Sequence, residues 1–262
     1  MTTTIALAGK GGDGKTTIAA LLIRQLAQGG AGAILAIDAD PSSNLNIALG
    51  LDLDWTVGDI REGMLAQVKE SLTAGGAAMG ALQGGLSKRD YLDFQIRSSI
   101  SEGEAYDLIA MGRSEGPGCY CAVNHNLREV IDSLSKNYRY VVIDNEAGME
   151  HLSRRTTRDV QHLLVVSDPT LRGLVAAERI ASFRNDLDIH IENAYLILNR
   201  LAGDVPASLL EKIQALGIPY LGAVPEDSSL AALELSGQPI TGLDQESQAF
   251  RAVAGFVKTI LS

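Results

Sequence analysis

A nine-residue run near the start of the chain, Gly9-Lys10-Gly11-Gly12-Asp13-Gly14-Lys15-Thr16-Thr17, restricts the possible folds more than any other feature. Residues Gly9 to Thr16 satisfy G-x-x-x-x-G-K-[ST] in full, with the apolar run Thr4–Ala8 before them and the helical pattern Thr17–Gln28 after. Glycine lets consecutive backbone N–H groups turn inward without a Cβ clash. The helix that follows offers its N-terminus to an anion held there. A strand, loop and helix of this kind cradle phosphate. Lys15 supplies a cation for the β- and γ-phosphates, and the Thr16 hydroxyl can ligate Mg²⁺. Gly11, Gly12, Asp13, Gly14 and Thr17 complete the cradle. Asp13 is the odd member, because a carboxylate beside a triphosphate repels it. It points away, pairs with a cation or contacts Mg²⁺, and the sequence leaves all three open.

Short apolar runs recur beyond the loop. Candidate strands are Thr4–Ala8, Ala33–Ile37, Asp107–Met111, Tyr140–Ile143, His162–Val166, Ala194–Leu198 and Tyr220–Ala223. Most are apolar throughout, as in strands buried on both faces of a parallel sheet. Helical stretches alternate with them: Thr17–Gln28, Asn124–Lys136 with Asn124 as its cap, Leu171–Phe183, and Pro206–Leu216 closed by Gly217. The alternation predicts an α/β fold, a wound and mostly parallel sheet flanked by helices. Gly75–Gly85 reads as a peripheral loop or weak helix. No linker is visible, so residues 1–262 are expected to form one domain.

The net charge of −10 opposes bulk attraction to nucleic acid or anionic lipid. No stretch approaches the roughly 20 apolar residues of a membrane span. The tail Phe250–Leu261 carries only Arg251 and Lys258 as cations, so it reads as a helix packed on the core and not as a membrane-targeting one. A secretory signal is missing, which leads to the expectation of a cytoplasmic protein with reduced thiols.

Carboxylates at the carboxyl ends of parallel strands face the ligand crevice. Ile37-Asp38-Ala39-Asp40-Pro41 ends the second strand, where Asp40 is placed to orient an attacking water and Asp38 to hold a Mg²⁺-bound water. Val142-Ile143-Asp144-Asn145-Glu146-Ala147-Gly148 ends another in the same way.

With Lys10 the loop reads K-G-G-x-G-K-[ST]. It resembles the deviant Walker A family, P-loop NTPases of the SIMIBI class that include nitrogenase iron protein, MinD, ParA and the arsenite-pump ATPase. The resemblance implies slow ATP hydrolysis coupled to a homodimer in which Lys10 reaches the partner's nucleotide. It makes Asp38 to Pro41 a switch I, and Asp144 to Gly148 a Walker B and switch II. Asp144 would hold Mg²⁺ through water, and Gly148 would sense the γ-phosphate. Lys10, Lys15 and Asp40 would act on the reaction. Asn199-Arg200 resembles the family's base-recognition N-[KR], with Pro225 packed near the base. Asp13 departs from the family pattern, which has a small or aliphatic residue there.

A second chemistry sits in Gly116-Pro117-Gly118-Cys119-Tyr120-Cys121, after one strand and before a helix. Two thiols at this spacing near a helix N-terminus have lowered pKa values and favour a soft or borderline metal. Two sulfurs do not complete a site, and a two-fold dimer would supply four. Two incidental buried thiols are the plain alternative. The run Met111 to Cys121, followed by Gly148-Met149-Glu150-His151-Leu152, resembles the CooC-type nickel-insertion ATPases of carbon monoxide dehydrogenase maturation. That resemblance spans nearly the whole chain. It implies one Ni²⁺ or Zn²⁺ between Cys119 and Cys121 of two chains, with delivery to carbon monoxide dehydrogenase or an acetyl-CoA synthase-type enzyme. His125 and His151 are either extra ligands or plain surface residues, and the plain reading is preferred. The rival readings are an iron–sulfur carrier and a partition or positioning ATPase of the ParA or MinD kind.

Overall fold

The computed structural model describes residues 2–30, 32–64, 88–113, 129–147, 159–183 and 189–262. Eight strands form one sheet: β1 (Thr3–Gly9), β2 (Ile34–Asp38), β3 (Ser101–Glu102), β4 (Asp107–Ala110), β5 (Tyr140–Asp144), β6 (Asp159–Ser167), β7 (His190–Leu201) and β8 (Tyr220–Pro225). Their order is β3-β4-β2-β5-β1-β6-β7-β8. All neighbours are parallel except β3, which runs antiparallel to β4 at the edge. Every apolar run expected to be a strand is one. No residue pattern marks β3, which has only two residues and no apolar side chain.

The strands alternate their side chains between two cores. Ala6, Ala8, Leu35, Ile37, Val141 and Ile143 face one; Ile5, Leu7, Ile34, Ala36 and Val142 face the other. Because both faces are covered, the central strands are apolar except at their ends. The first core is roofed by helical residues 57–64 and 129–135 and by α3 (Lys88–Ser98), α4 (Leu171–Phe183) and α5 (Ala207–Ala215). The second is roofed by α1 (Lys15–Gln28), α2 (Leu45–Leu49), α6 (Ser228–Ser236) and α7 (Gln248–Ile260). The tail is a helix on the core, as expected: Ala249, Phe250, Val253, Phe256 and Ile260 of α7 are buried. Pro206 caps α5, and Gly217 beyond it takes φ +68°. Asn124 and the Gly75–Gly85 stretch lie outside the described residues.

This arrangement aims three adjacent strands, β2, β5 and β1, at one crevice with their carboxyl ends.

Candidate functional site

The loop is built by its glycines. β1 ends at Gly9 beside Val166 of β6, and a Cβ at Gly9 would strike the Val166 carbonyl oxygen. Gly12 and Gly14 take φ of +88° and +85°, which side-chain-bearing residues avoid. Lys10 is exposed, whereas the Lys15 side chain folds under the loop and its Nζ donates to the Lys10 carbonyl at 3.3 Å. Asp13 turns inward and is only 4% exposed. Its Oδ2 accepts the Lys10 N–H at 3.2 Å. Burial pushes its carboxyl above the usual range, and nearby Asp168 pushes the same way, against the Lys10 N–H and the charges of Lys10 and Lys15. Asp13 therefore points into the protein and braces the loop.

The acidic cluster comes from β2 and β5. Asp38 and Asp144 are register partners at the ends of these strands, and each is 1% exposed. The Thr16 hydroxyl donates to Asp144 Oδ2 at 2.5 Å. Asp144 Oδ1 is buried without a hydrogen-bond partner among the described residues. Asp38 accepts the Leu45 N–H at 2.9 Å and the Asp40 N–H at 3.0 Å, and its carbonyl takes the Met111 N–H at 2.7 Å. Burial raises the Asp144 carboxyl to about 7, with Asp38 adding to the rise against the Thr16 hydroxyl. Burial likewise raises Asp38 to about 6, against the amides that bond it. Asp40 is less buried and accepts both the N–H and the hydroxyl of Ser42.

The third wall comes from the late strands. At the end of β7 the ladder to β8 shifts register, and Arg200 takes φ +58°. The Asn199 side-chain amide donates to the Asp13 carbonyl at 2.8 Å, and Arg200 Nη1 to the Gly12 carbonyl at 3.3 Å. A Cβ on Gly14 would collide with the Asn199 amide. Beside this corner opens a cleft of about 510 Å³, lined among others by Thr17, Asn199, Arg200, Pro225, Asp227 and Glu234. Asn199, Arg200 and Pro225, singled out in the sequence, thus border one space next to the loop. Cys119, Cys121, His125, Gly148 and His151 lie outside the described residues. Among the described residues no group of three or more His, Cys, Asp and Glu side chains is arranged to hold a metal ion.

Sequence reasoning missed Asp168, Asp227 and Glu234. Asp168 was findable, since it follows the end of β6 as Asp144 ends β5. Asp227 takes the N–H groups of Ser229 and Leu230 as the cap of α6. Glu234 lies on an exposed helix face far along the chain, and no pattern marks it.

The model of the CobQ/CobB/MinD/ParA nucleotide-binding domain matches residues 4–240. The chain belongs to this family. ATP-binding protein MJ0685 of Methanocaldococcus jannaschii is 38% identical over 258 residues, covering 98% of each chain. The carbon monoxide dehydrogenase accessory protein CooC of Rhodospirillum rubrum is 30% identical over 237 residues, covering 89% of this chain and 87% of its own. The septum site-determining protein MinD of Pyrococcus horikoshii, solved with Mg-ADP, superposes with a TM-score of 0.68 at 23% identity, covering 99% and 96%. That likeness bears out the mostly parallel α/β fold.

Membership of the CobQ/CobB/MinD/ParA family implies a bound nucleotide and Mg²⁺. The residues present fit a hard cation: a threonine hydroxyl and two desolvated carboxylates, one of which has an oxygen with no hydrogen-bond partner among the described residues, converge where the phosphate loop begins its helix. Among the described residues, no helix is long and apolar enough to cross a membrane.

Proposed function

We propose that this chain is an ATP-hydrolysing, dimerising metallochaperone that carries Ni²⁺ or Zn²⁺ between Cys119 and Cys121 of two copies. Its client would be carbon monoxide dehydrogenase or a related nickel enzyme. The observation that carries the ATPase reading is the junction of Thr16, Asp144 and Asp38 beneath the glycine loop. Support for the metal cargo comes from the Cys-Tyr-Cys segment together with the 30% identical CooC.

In this reading the loop amides and Lys15 hold the β- and γ-phosphates, and Asn199, Arg200 and Pro225 border the base. Mg²⁺ would be held by Thr16 directly and by Asp38 and Asp144 through water, and would neutralise phosphate charge. Asp40 orients a water toward the γ-phosphorus. The water oxygen bonds to phosphorus as the bond to the β–γ bridging oxygen breaks, and ADP and phosphate leave. Phosphoryl transfer of this kind needs positioning and charge neutralisation more than a strong base. Lys10, exposed at the start of the loop, is free to reach a second copy's nucleotide. Closing and reopening that interface changes the geometry of a metal site shared across it.

The test is metal content and oligomeric state measured together. Wild type and a Cys119→Ser/Cys121→Ser variant are loaded with Ni²⁺ or Zn²⁺, with and without ADP or ATP, and examined by light scattering and elemental analysis. About one metal per dimer, lost in the variant while ATP binding survives, is the expected result. Iron with sulfide would instead identify a cluster carrier. Absence of cysteine-dependent metal would leave a partition or positioning ATPase.

A further inference from the structure

Trp55 is the single tryptophan of the chain and is 61% exposed. Aromatic side chains gain the most from burial, and the local structure offers this one a place. Thr56 opens the helical residues 57–64, its N–H and hydroxyl donating to Asp59 Oδ2 at 2.8 and 2.7 Å. An apolar residue just before such a cap commonly packs on the fourth residue of the helix. That residue, Ile60, is buried in the core, yet most of Trp55 stays in water. Phe94 repeats the pattern on α3. The helix buries Leu92 and Ile96 in the core and turns Phe94, 63% exposed, away from it.

The two aromatics flank one cleft. It has about 330 Å³ and is lined by residues 50–52, 54 and 98–102. Trp55 directly follows Asp54 of one wall. Phe94 lies one helical turn before Ser98 of the other, and the Ser98 hydroxyl donates to its carbonyl at 2.9 Å. Asp52, Asp54 and Glu102 in these walls are exposed, and no lysine or arginine among the described residues pairs with them. Arg97 of α3 is committed to Asp93 at 2.8 Å. The cleft thus holds three unneutralised carboxylates, with an exposed aromatic ring beside each wall.

Nucleic acid and anionic lipid are repelled by such a surface. A second copy docking the same face on itself would set these carboxylates against one another. A cation on an apolar stem fits both halves, with its charge in the cleft and its stem on the rings. We propose that the cleft between Trp55 and Phe94 is a docking surface for a basic segment of a partner protein, in which arginine or lysine alternates with apolar residues. A cationic side chain enters among Asp52, Asp54 and Glu102, and its apolar neighbours cover the two rings. The site lies at the β3–β4 edge of the sheet, with β2 and β5 between it and the loop-bearing β1. It is therefore independent of the nucleotide and metal readings.

The probe is a short synthetic peptide alternating arginine with leucine, and the same peptide with glutamate for arginine is the control. Because the chain has one tryptophan, its emission reports on this surface alone. The basic peptide should shift that emission to shorter wavelength, and the acidic one should leave it unchanged. Asp52→Asn/Asp54→Asn should weaken binding by about tenfold, the loss of two exposed ion pairs. Asp204→Asn/Glu211→Gln makes the same change of charge near the opposite edge of the sheet and should stay within about twofold of wild type. Trp55→Ala, followed by calorimetry, should weaken binding by about tenfold or more. Thermal melting checks that each variant folds. No binding, binding that leaves the emission unchanged, or equal weakening by both pairs of acid substitutions overturns the proposal. An emission that shifts with protein concentration in the absence of peptide, together with a rising mass by light scattering, assigns the face to a second copy and overturns it as well.

Discussion

Thr16 and Asp144, 128 residues apart in the chain, are joined by a hydrogen bond of 2.5 Å that ties the first turn of α1 to the end of β5. The carboxyl it engages is buried and titrates near 7, with Asp38 beside it near 6. Both are raised above their unfolded range, so the nucleotide-free fold holds protons that the unfolded chain releases. From these two groups, stability is greatest below about pH 4 and falls as pH rises toward 7. A bound cation favours the ionised forms and reverses the sign. Mg²⁺–nucleotide binding at pH 6 should therefore release roughly one to one and a half protons, visible as a calorimetric heat that varies with buffer ionisation enthalpy. The release should vanish at pH 8 and shrink in Asp144→Asn. A heat at pH 6 that is the same in every buffer would contradict it.

The two loop lysines should separate by function. Lys15 is buried under the loop, and Lys15→Ala should weaken ATP binding by about 10- to 100-fold, the loss of one charge-assisted bond. Lys10 is exposed, and Lys10→Ala should leave ATP affinity within about fivefold. ATP-induced dimerisation, read by light scattering, should nevertheless disappear in Lys10→Ala. A variant that still dimerises removes Lys10 from the interface.

Asp40 should affect turnover more than binding. Its carboxylate is held by Ser42 and, among the described residues, is not hydrogen-bonded to the loop. Asp40→Asn should lower kcat by about 100-fold, the usual penalty for misplacing a reactant. The dissociation constant for ATP should stay within about twofold. Loss of both together would make Asp40 a binding residue.

Asp227 joins two helices. One oxygen caps α6 through Ser229 and Leu230, while the other takes the Ser247 hydroxyl and the Ala249 N–H at the start of α7. Burial raises its pKa, but these bonds, the Ser247 hydroxyl first, outweigh burial and hold it below the usual range. Its contribution is present above about pH 4 and is lost as pH falls further. Asp227→Ala should cost about 1–2 kcal/mol at pH 7, as a lost helix cap does. Urea unfolding at pH 7 and pH 3.5 should show the gap between variant and wild type narrowing in acid.

Much of this was legible in the residue pattern. The central strands announce themselves because they are buried on both faces and admit little but apolar side chains, as in Ile34–Asp38 and Tyr140–Asp144. β7 extends beyond its apolar centre because His190, Glu192 and Asn193 point to water at its start. α3 was not visible, since Lys88, Arg89, Asp90, Asp93 and Arg97 leave few apolar positions to set a period. α6 was hidden for the opposite reason: apolar residues lie all round it, and only Leu230 is buried. The direction of the Asp13 side chain was undetermined because a loop has no period to assign it a face. Glu234 meets Thr17 only through the folding of β8 and α6 back to α1, a relation that residue spacing does not encode.

The Asn199 amide that braces the Asp13 carbonyl is supplied 186 residues after it. At about 5–20 residues per second, a ribosome delivers that brace on the order of ten to forty seconds after the glycine loop has been made. For that interval the nascent chain carries the glycine loop without its brace, and the loop becomes a finished binding surface only once β7 has been made.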